Sequence, residues 1–154
     1  MAEVGYVEET TLGEMFLKRN GRLNRWRYFK RRVVLGIAIT MLLTLGYRIF
    51  GYEFGQVNTP YAGIYNTVLS LLFVIPTYCL NVRRLQDMNR GKIIALVYAA
   101  ISVAMAFMDF TGVNYQLYLA LTLATMSFAI SGYLLIAPGT LGKNRYGLSP
   151  IPIK

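Results

Sequence analysis

The sequence contains no histidine, a single cysteine and few charged residues. Of its 154 residues only 15% are charged, compared with about 25% in a typical soluble domain. Without histidine the chain lacks the side chain best suited to proton transfer near neutral pH and the commonest metal ligand. Cys79 alone cannot form an intrachain disulfide or a zinc cluster. No phosphate-binding loop, nucleophile elbow or dinucleotide fingerprint is present, so we expect a non-enzymatic protein without cofactor or metal.

Apolar residues dominate what remains. They make up 55% of the chain, and the mean hydropathy is +0.43, which leaves too little polar material to cover a soluble protein of this size. Four apolar runs follow one another, and one of 18 residues would cover about 27 Å of a hydrocarbon layer about 30 Å thick. We therefore expect one all-α membrane domain over residues 1–154 with four transmembrane helices. The predicted spans are 33–50, 64–80, 93–108 and 115–137.

Two segments outside the spans carry local signals. Thr11 and Glu14 have the spacing of a helix capping box, which predicts a short amphipathic helix over 11–20 lying on the membrane surface. A helix that packs on its own loops, away from the membrane, is the alternative. Residues 138–154 are rich in glycine and proline at turn positions, which predicts an ordered tail.

Positive charge is distributed very unevenly about the predicted spans. The net charge is +9, and fifteen of the sixteen Lys and Arg residues fall on one side, with Arg48 alone on the other. Basic loops remain in the cytoplasm, so both termini are predicted to be cytoplasmic. The basic and aromatic stretch 22–32 could also suggest RNA binding, but apolar sequence begins directly at Val33. We therefore expect anionic membrane lipids as partners, with a homo-oligomer as an option and no nucleic acid.

Spans one and two carry more polar residues than the others. Two interpretations stay open: hydrogen bonds between the helices, or a polar path through a small oligomeric channel or transporter. Asp109 is a plausible partner for Arg48 near the outer surface. The residues of this predicted path are Thr40, Thr44 and Arg48 on span one and Asn66, Ser70 and Thr77 on span two.

Three polar motifs converge on the predicted cytoplasmic face. They are GRLNRWRYFKR at 21–31, which begins with GRLNR at 21–25; NVRRLQDMNRGK at 81–92, which contains RRLQD at 83–87; and PGTLGKNRYGLSP at 138–150. Asp87 is the only acid among the inner cations, so we expect it to pair with arginines. Either the motifs form a structural clasp, or surplus arginines bind an anion such as a lipid headgroup. The residues of this predicted site are Arg22, Arg25, Arg83, Arg84, Asp87, Asn144, Arg145 and Tyr146.

These motifs, in this order between four apolar runs, resemble the domain of unknown function 805 family of small bacterial inner-membrane proteins. The resemblance covers nearly the whole chain. Two departures are Gln86, where the family usually has histidine, and residues 89–93, which lack the usual Ser-Gly-Trp. The resemblance implies the membrane fold and a location in the bacterial inner membrane. It supplies no activity, so our expectation is a protein whose cationic cytoplasmic face binds anionic lipid or another anionic partner.

Overall fold

Five α-helices account for the regular structure of the described chain. A computed structural model describes residues 9–49, 60–108 and 116–150. The helices are α1 (Leu12–Phe16), α2 (Arg25–Ile49), α3 (Pro60–Asp87), α4 (Ile93–Ala106) and α5 (Gln116–Ile136). Within these ranges no strand forms, although an isolated bridge joins Asn144 and Gly147. The prediction of an all-α fold is confirmed for these ranges.

The capping box predicted at the start of α1 is present. The Thr11 hydroxyl accepts a hydrogen bond from the Glu14 amide at 3.2 Å, and the Glu14 carboxylate accepts one from the Thr11 amide at 3.3 Å. The hydrogen bond from the Thr11 amide is the main reason why the pKa of Glu14 lies below its usual value. The helix ends at Phe16, so the predicted extent 11–20 was too long.

Two helices extend well beyond the apolar runs that predicted them. The Asn24 side chain accepts a hydrogen bond from the Arg27 amide at 2.9 Å, which caps α2 and starts it at Arg25 instead of residue 33. Helix α3 continues through Pro76 to Asp87. The motif 83–87, which follows the predicted span 64–80, is therefore the last part of a helix.

A Schellman motif ends α3. Asn89 has a left-handed backbone with φ of 56°. Its amide donates to the Gln86 carbonyl at 3.1 Å, and the Arg90 amide donates to the Leu85 carbonyl at 2.8 Å. These are the two hydrogen bonds of this motif, and they satisfy carbonyls that the helix end would otherwise leave without a partner.

Helix α3 lies at the centre of the packing. It makes its most extensive contacts with α4 and α2, and it also touches α1 and α5. The buried hydrophobic core gathers around the C-terminal end of α3, where no lipid would be needed to cover it. Its members are Leu23, Tyr28, Leu80, Val82, Leu85, Met88, Ala95 and Leu134.

Two of the described helices are long and apolar enough to cross a membrane. They are Gly63–Asp87 in α3 and Leu117–Ile136 in α5, and only 28% and 6% of their apolar windows are buried inside the chain. A core helix of a soluble protein would be mostly buried, whereas Phe128 on α5 is 81% exposed. Exposed apolar surface on this scale favours a membrane protein. The number of spans and their orientation stay predictions.

Candidate functional site: an arginine clasp

Asp87, the last residue of α3, is paired with two arginines. Its Oδ1 accepts from Arg22 Nε at 3.1 Å, and its Oδ2 accepts from Arg84 Nη1 at 2.6 Å. Asp87 is 3% exposed and Arg84 is fully buried. We call Arg22, Arg84, Asp87 and the segment 134–147 that they hold, which comprises the end of α5 and the start of the tail, the arginine clasp. Its charge-assisted hydrogen bonds join the N-terminal segment, α3 and the tail, which are far apart in the sequence.

Arg22 also gathers the backbone of the tail. Its two terminal nitrogens donate to the carbonyls of Thr140, Gly142 and Gly147. Gly21, with φ of +100°, adopts a conformation that other residues rarely take, and it turns the chain so that Arg22 enters the clasp. The motif Gly-Arg is thus a backbone turn followed by the side chain that the turn directs.

Arg84 caps the end of α5. Its Nε donates to the Leu134 carbonyl at 2.8 Å, and its Nη2 donates to the Ala137 carbonyl. The last carbonyls of a helix lack partners within the helix and carry its negative partial charge. A buried guanidinium, with five donors in a fixed fork, satisfies these carbonyls and the Asp87 carboxylate together.

The tail is fixed to the end of α3 by further hydrogen bonds. The Thr140 amide and hydroxyl both donate to the Asp87 carbonyl, at 2.8 and 2.9 Å. The Asn144 side-chain amide donates to the Gln86 carbonyl at 2.9 Å. A Cβ added at Gly139 would collide with the Asp87 carboxylate, so only glycine allows the tail to approach this closely. The predicted ordered tail is present over its described part, which ends at residue 150.

A second cluster of charges lies beside the clasp. Glu9 is buried and accepts from Arg83 Nη2 at 2.5 Å and from Arg31 Nη2. Arg31 also donates to the Met15 carbonyl at 2.9 Å, which fixes the end of α1. Like Asp87, Glu9 is one carboxylate shared by two arginines. Arg83 therefore pairs with the N-terminal segment and not with Asp87.

A polar pair anchors α2 beneath the clasp. The Tyr28 hydroxyl donates to Asn81 Oδ1 at 2.9 Å, and both residues are buried. Tyr28 precedes the first apolar run of the sequence. Because burial penalises its charged form, the pKa of Tyr28 is raised to about 12. The phenol therefore remains a neutral hydrogen-bond donor throughout the physiological range.

The structure divides the eight predicted site residues into two groups. Five are engaged in the buried network, and this supports the clasp interpretation for them: Arg22, Arg83, Arg84, Asp87 and Asn144. The other three lie nearer the surface. Arg25 and Arg145 are exposed, and the Arg145 guanidinium lies 4.7 Å from the ring of half-buried Tyr146.

The residues of the predicted polar path do not line one cavity. Thr40, Thr44 and Arg48 are exposed and border a groove formed by α2 residues alone. The Thr40 and Thr44 hydroxyls donate to carbonyls of their own helix, at 2.8 and 2.9 Å. Ser70 and Thr77 border a different cavity, whereas Asn66 is half-buried and borders neither. Asp109, the predicted partner of Arg48, lies outside the described residues.

Three functional residues were not predicted from the sequence. They are Glu9, Arg31 and Thr140, none of which was among the residues predicted for the site. The only available signal for Glu9 was that arginines outnumber carboxylates at this end, so any nearby acid would be drawn in. The described residues bring together no three His, Cys, Asp or Glu side chains of the kind that hold a metal.

One family model matches most of the chain, including the residues of the clasp. The model of a family described as "protein of unknown function (DUF805)" matches residues 16–148, which include all three clasp segments. The chain belongs to the DUF805 family. No curated protein and no solved structure matches the chain. Membership of DUF805 was predicted from the three motifs, and that prediction is confirmed.

Proposed function

We propose that this DUF805 protein is a non-enzymatic, four-span protein of the bacterial inner membrane whose cytoplasmic end binds anionic lipid headgroups. The uneven distribution of cations supports an orientation with both termini in the cytoplasm. The exposed apolar faces of α3 and α5 support the membrane location. The clasp holds this end of the bundle together, and exposed cations around it contact the lipid.

The observation that carries the proposal is that the described carboxylates are too few to neutralise the cations at this end of the protein. Every ion pair among the described residues involves Glu9 or Asp87 and one of four arginines. Each carboxylate is thus shared by two cations, which leaves both clusters with excess positive charge. Apart from Arg48, eight exposed cations make no ion pair with a described carboxylate: Lys18, Arg19, Arg25, Lys30, Arg90, Lys92, Lys143 and Arg145.

Exposed aromatic rings accompany these cations at the start of α2. Trp26 is 61% exposed and stacks on Phe29 with a centroid distance of 5.8 Å. The Lys30 ammonium lies 5.2 Å from the centre of the Trp26 ring. Amphipathic rings and long cationic side chains favour the headgroup level of a membrane. Anionic headgroups would then supply the negative charge that the chain itself does not provide.

Lipid retention tests the proposal. The protein is purified in a neutral detergent, and native mass spectrometry counts bound phosphatidylglycerol and phosphatidylcholine. We expect a preference for phosphatidylglycerol that falls as salt rises. Each cation contributes about 1 kcal/mol to attraction, so a variant with Lys30→Gln, Lys92→Gln and Lys143→Gln should lose roughly 3 kcal/mol, about a hundredfold in affinity.

Arg48→Gln is the matched control, since it removes an exposed cation predicted to lie on the opposite side. Its preference for phosphatidylglycerol should equal that of the unaltered protein. An unchanged preference in the triple variant would contradict the proposal, as would an equally large loss in Arg48→Gln.

A small oligomeric channel or transporter was the alternative function. It depends on a polar path between α2 and α3, and the hydroxyls of α2 instead bond to their own backbone. No contact in the described residues favours it over lipid binding. Flux through liposomes that disappears in Ser70→Leu would restore this alternative.

A further inference from the structure

A cavity of about 580 Å³ lies among α2, α3, α4 and α5, away from the arginine clasp. Its volume falls within the range of about 300–1,000 Å³ found for small-molecule sites. Along α4 it runs from Tyr98 to Ala106, which at about 1.5 Å per residue is a length of roughly 12 Å. A smaller cavity of about 390 Å³ adjoins it and shares Arg32 and Thr77.

Arg32 lies at the Tyr98 end of the cavity and pairs with no acidic residue of the described ranges. Its Nη1 donates to the Thr77 hydroxyl at 3.1 Å, and its Nη2 donates to the Tyr98 hydroxyl at 2.8 Å. Both acceptors are neutral. The three described carboxylates are engaged elsewhere, two with other arginines and one in the capping box of α1.

A half-buried cation without a counter-ion is costly between membrane helices, and such residues usually mark a ligand or ion site. An anion beside Arg32 would remove that cost. The surrounding hydroxyls would help, because a hydroxyl that accepts a hydrogen bond from Arg32 can still donate its own hydrogen. Ser127 on α5 also borders the cavity, and its buried hydroxyl has no partner in the described structure.

Large apolar side chains line much of the rest of the cavity. They are Phe73 and Val74 of α3, Met105 of α4 and Phe128 of α5, and the serines at 70, 102 and 131 lie among them. One end of the cavity therefore suits an anionic oxygen group and its length suits a hydrocarbon chain. We propose that this cavity binds a single-chain anionic amphiphile, with its phosphate or carboxylate on Arg32, Thr77 and Tyr98 and its chain between the helices.

Three probes separate the parts of this ligand: decyl phosphate, decanol and inorganic phosphate. Native mass spectrometry of the full chain in a neutral detergent reports each bound adduct. We expect one decyl phosphate to bind at least tenfold more tightly than decanol, without competition from inorganic phosphate at the same concentration. Equal binding of decyl phosphate and decanol would overturn the proposal. Inorganic phosphate binding as tightly as decyl phosphate would also overturn it, because the chain would then contribute nothing.

Two variants locate the site. Arg32→Gln should lose the preference for decyl phosphate over decanol, and Ser127→Leu should lose both ligands by filling the cavity. Ser127→Leu breaks no hydrogen bond of the described structure, so it tests the site even where Arg32→Gln fails to fold. Thr40→Leu, which adds the same side chain on the exposed face of α2, is the control and should bind normally. Normal binding in Ser127→Leu, or an equal loss in Thr40→Leu, would refute the assignment.

This cavity is independent of the exposed cations of the proposed function. The variant with Lys30→Gln, Lys92→Gln and Lys143→Gln should retain decyl phosphate in the cavity while losing its preference for phosphatidylglycerol. Arg32→Gln should keep the preference for phosphatidylglycerol and lose the preference of the cavity for decyl phosphate. Loss of both properties in the triple variant would overturn the cavity proposal, since surface charge alone would then explain decyl phosphate binding.

Discussion

Replacing Asp87 by asparagine tests the energetic role of the arginine clasp. The change keeps the side-chain volume but removes the negative charge that Arg22 and Arg84 share. Removing one partner of a buried ion pair costs about 3–5 kcal/mol, because the other charge stays buried and uncompensated. Both arginines also donate to backbone carbonyls that the substitution leaves in place. We therefore expect a loss of about 3 kcal/mol in the free energy of unfolding, at the lower end of this range.

Unfolding by sodium dodecyl sulfate from a neutral detergent measures this loss. Trp26, the only tryptophan, lies at the start of α2 near the clasp and reports the transition by fluorescence. Glu14→Gln is the control, because it removes an exposed carboxylate that makes no ion pair in the described structure. It should change stability far less than Asp87→Asn.

A double-mutant cycle with Arg22→Gln separates the ion pair from a general disturbance of the fold. If the charges interact as the structure indicates, the double variant should lose less than the sum of the single losses, by roughly 1–3 kcal/mol. A loss for Asp87→Asn within about 0.5 kcal/mol of zero, typical of an ordinary surface substitution, would refute the reasoning. Strict additivity in the cycle would refute the direct pairing of Arg22 with Asp87.

Three further predictions use the same unfolding assay. Gly139→Ala places a methyl group against the Asp87 carboxylate and should lower the free energy of unfolding by about 1–3 kcal/mol. Gly91→Ala, with open space around it, should lower it far less. Equal effects would contradict the close approach of the tail. Asn89→Val forces a branched residue into the left-handed region and should lower the free energy of unfolding by at least about 1–2 kcal/mol. Asn89→Gly should be tolerated. An Asn89→Val variant as stable as the unaltered protein would exclude the Schellman motif at the end of α3. Burial raises the pKa of Tyr28 from 10.0 to about 12, so the stability that it contributes should be complete below pH 10 and be lost as pH rises towards 12; Tyr28→Phe should remove this dependence.

Local signals in the sequence predicted the parts of the fold that depend on neighbouring residues. The capping box of Thr11 and Glu14 is one such case, because both partners lie within one turn. Apolar runs located the helices, but they did not locate the helix ends. The length of an apolar run reflects the thickness of the hydrocarbon layer and not the length of the helix. Arginine, leucine and glutamine have similar helix propensities, so a helix can continue into water beyond that layer. For this reason α3 extends to Asp87, well past its apolar run.

The partners within the site could not be predicted in the same way. The sequence indicated that Asp87 pairs with arginines, but several were within reach, and the choice depends on the backbone carbonyls that each arginine can also satisfy. Arg84 is selected because its fork lies at the end of α5. Arg83, its neighbour in sequence, points to Glu9 instead, since adjacent residues on a helix face different directions.

Helix rotation explains why the residues of the predicted polar path do not line one cavity in the described chain. Thr40 and Thr44 lie on one face of α2, as their spacing predicts, but periodicity does not determine which neighbour that face meets. Each hydroxyl is already satisfied by a carbonyl one turn earlier in its own helix. A threonine can therefore face lipid at little cost. Thr77 differs because its hydroxyl accepts from Arg32 of another helix, and that contact defines the cavity.

Whether an arginine at the clasp end is buried or exposed depends on the carboxylate and the backbone carbonyls that lie within its reach. Arg84 reaches Asp87 and the end of α5, Arg22 reaches Asp87 and carbonyls of the tail, and both are buried. Among the described residues Arg25 pairs with no carboxylate, donates to the Ile136 carbonyl at 3.4 Å and remains exposed. If the proposed function holds, stability and lipid preference therefore depend on different residues of the same charge. Substitutions in the clasp should lower stability with little direct effect on headgroup selection, and substitutions of exposed cations such as Lys143 should do the opposite. This separation would allow one strongly basic end to be both a rigid junction and, as proposed, a surface for anionic lipid.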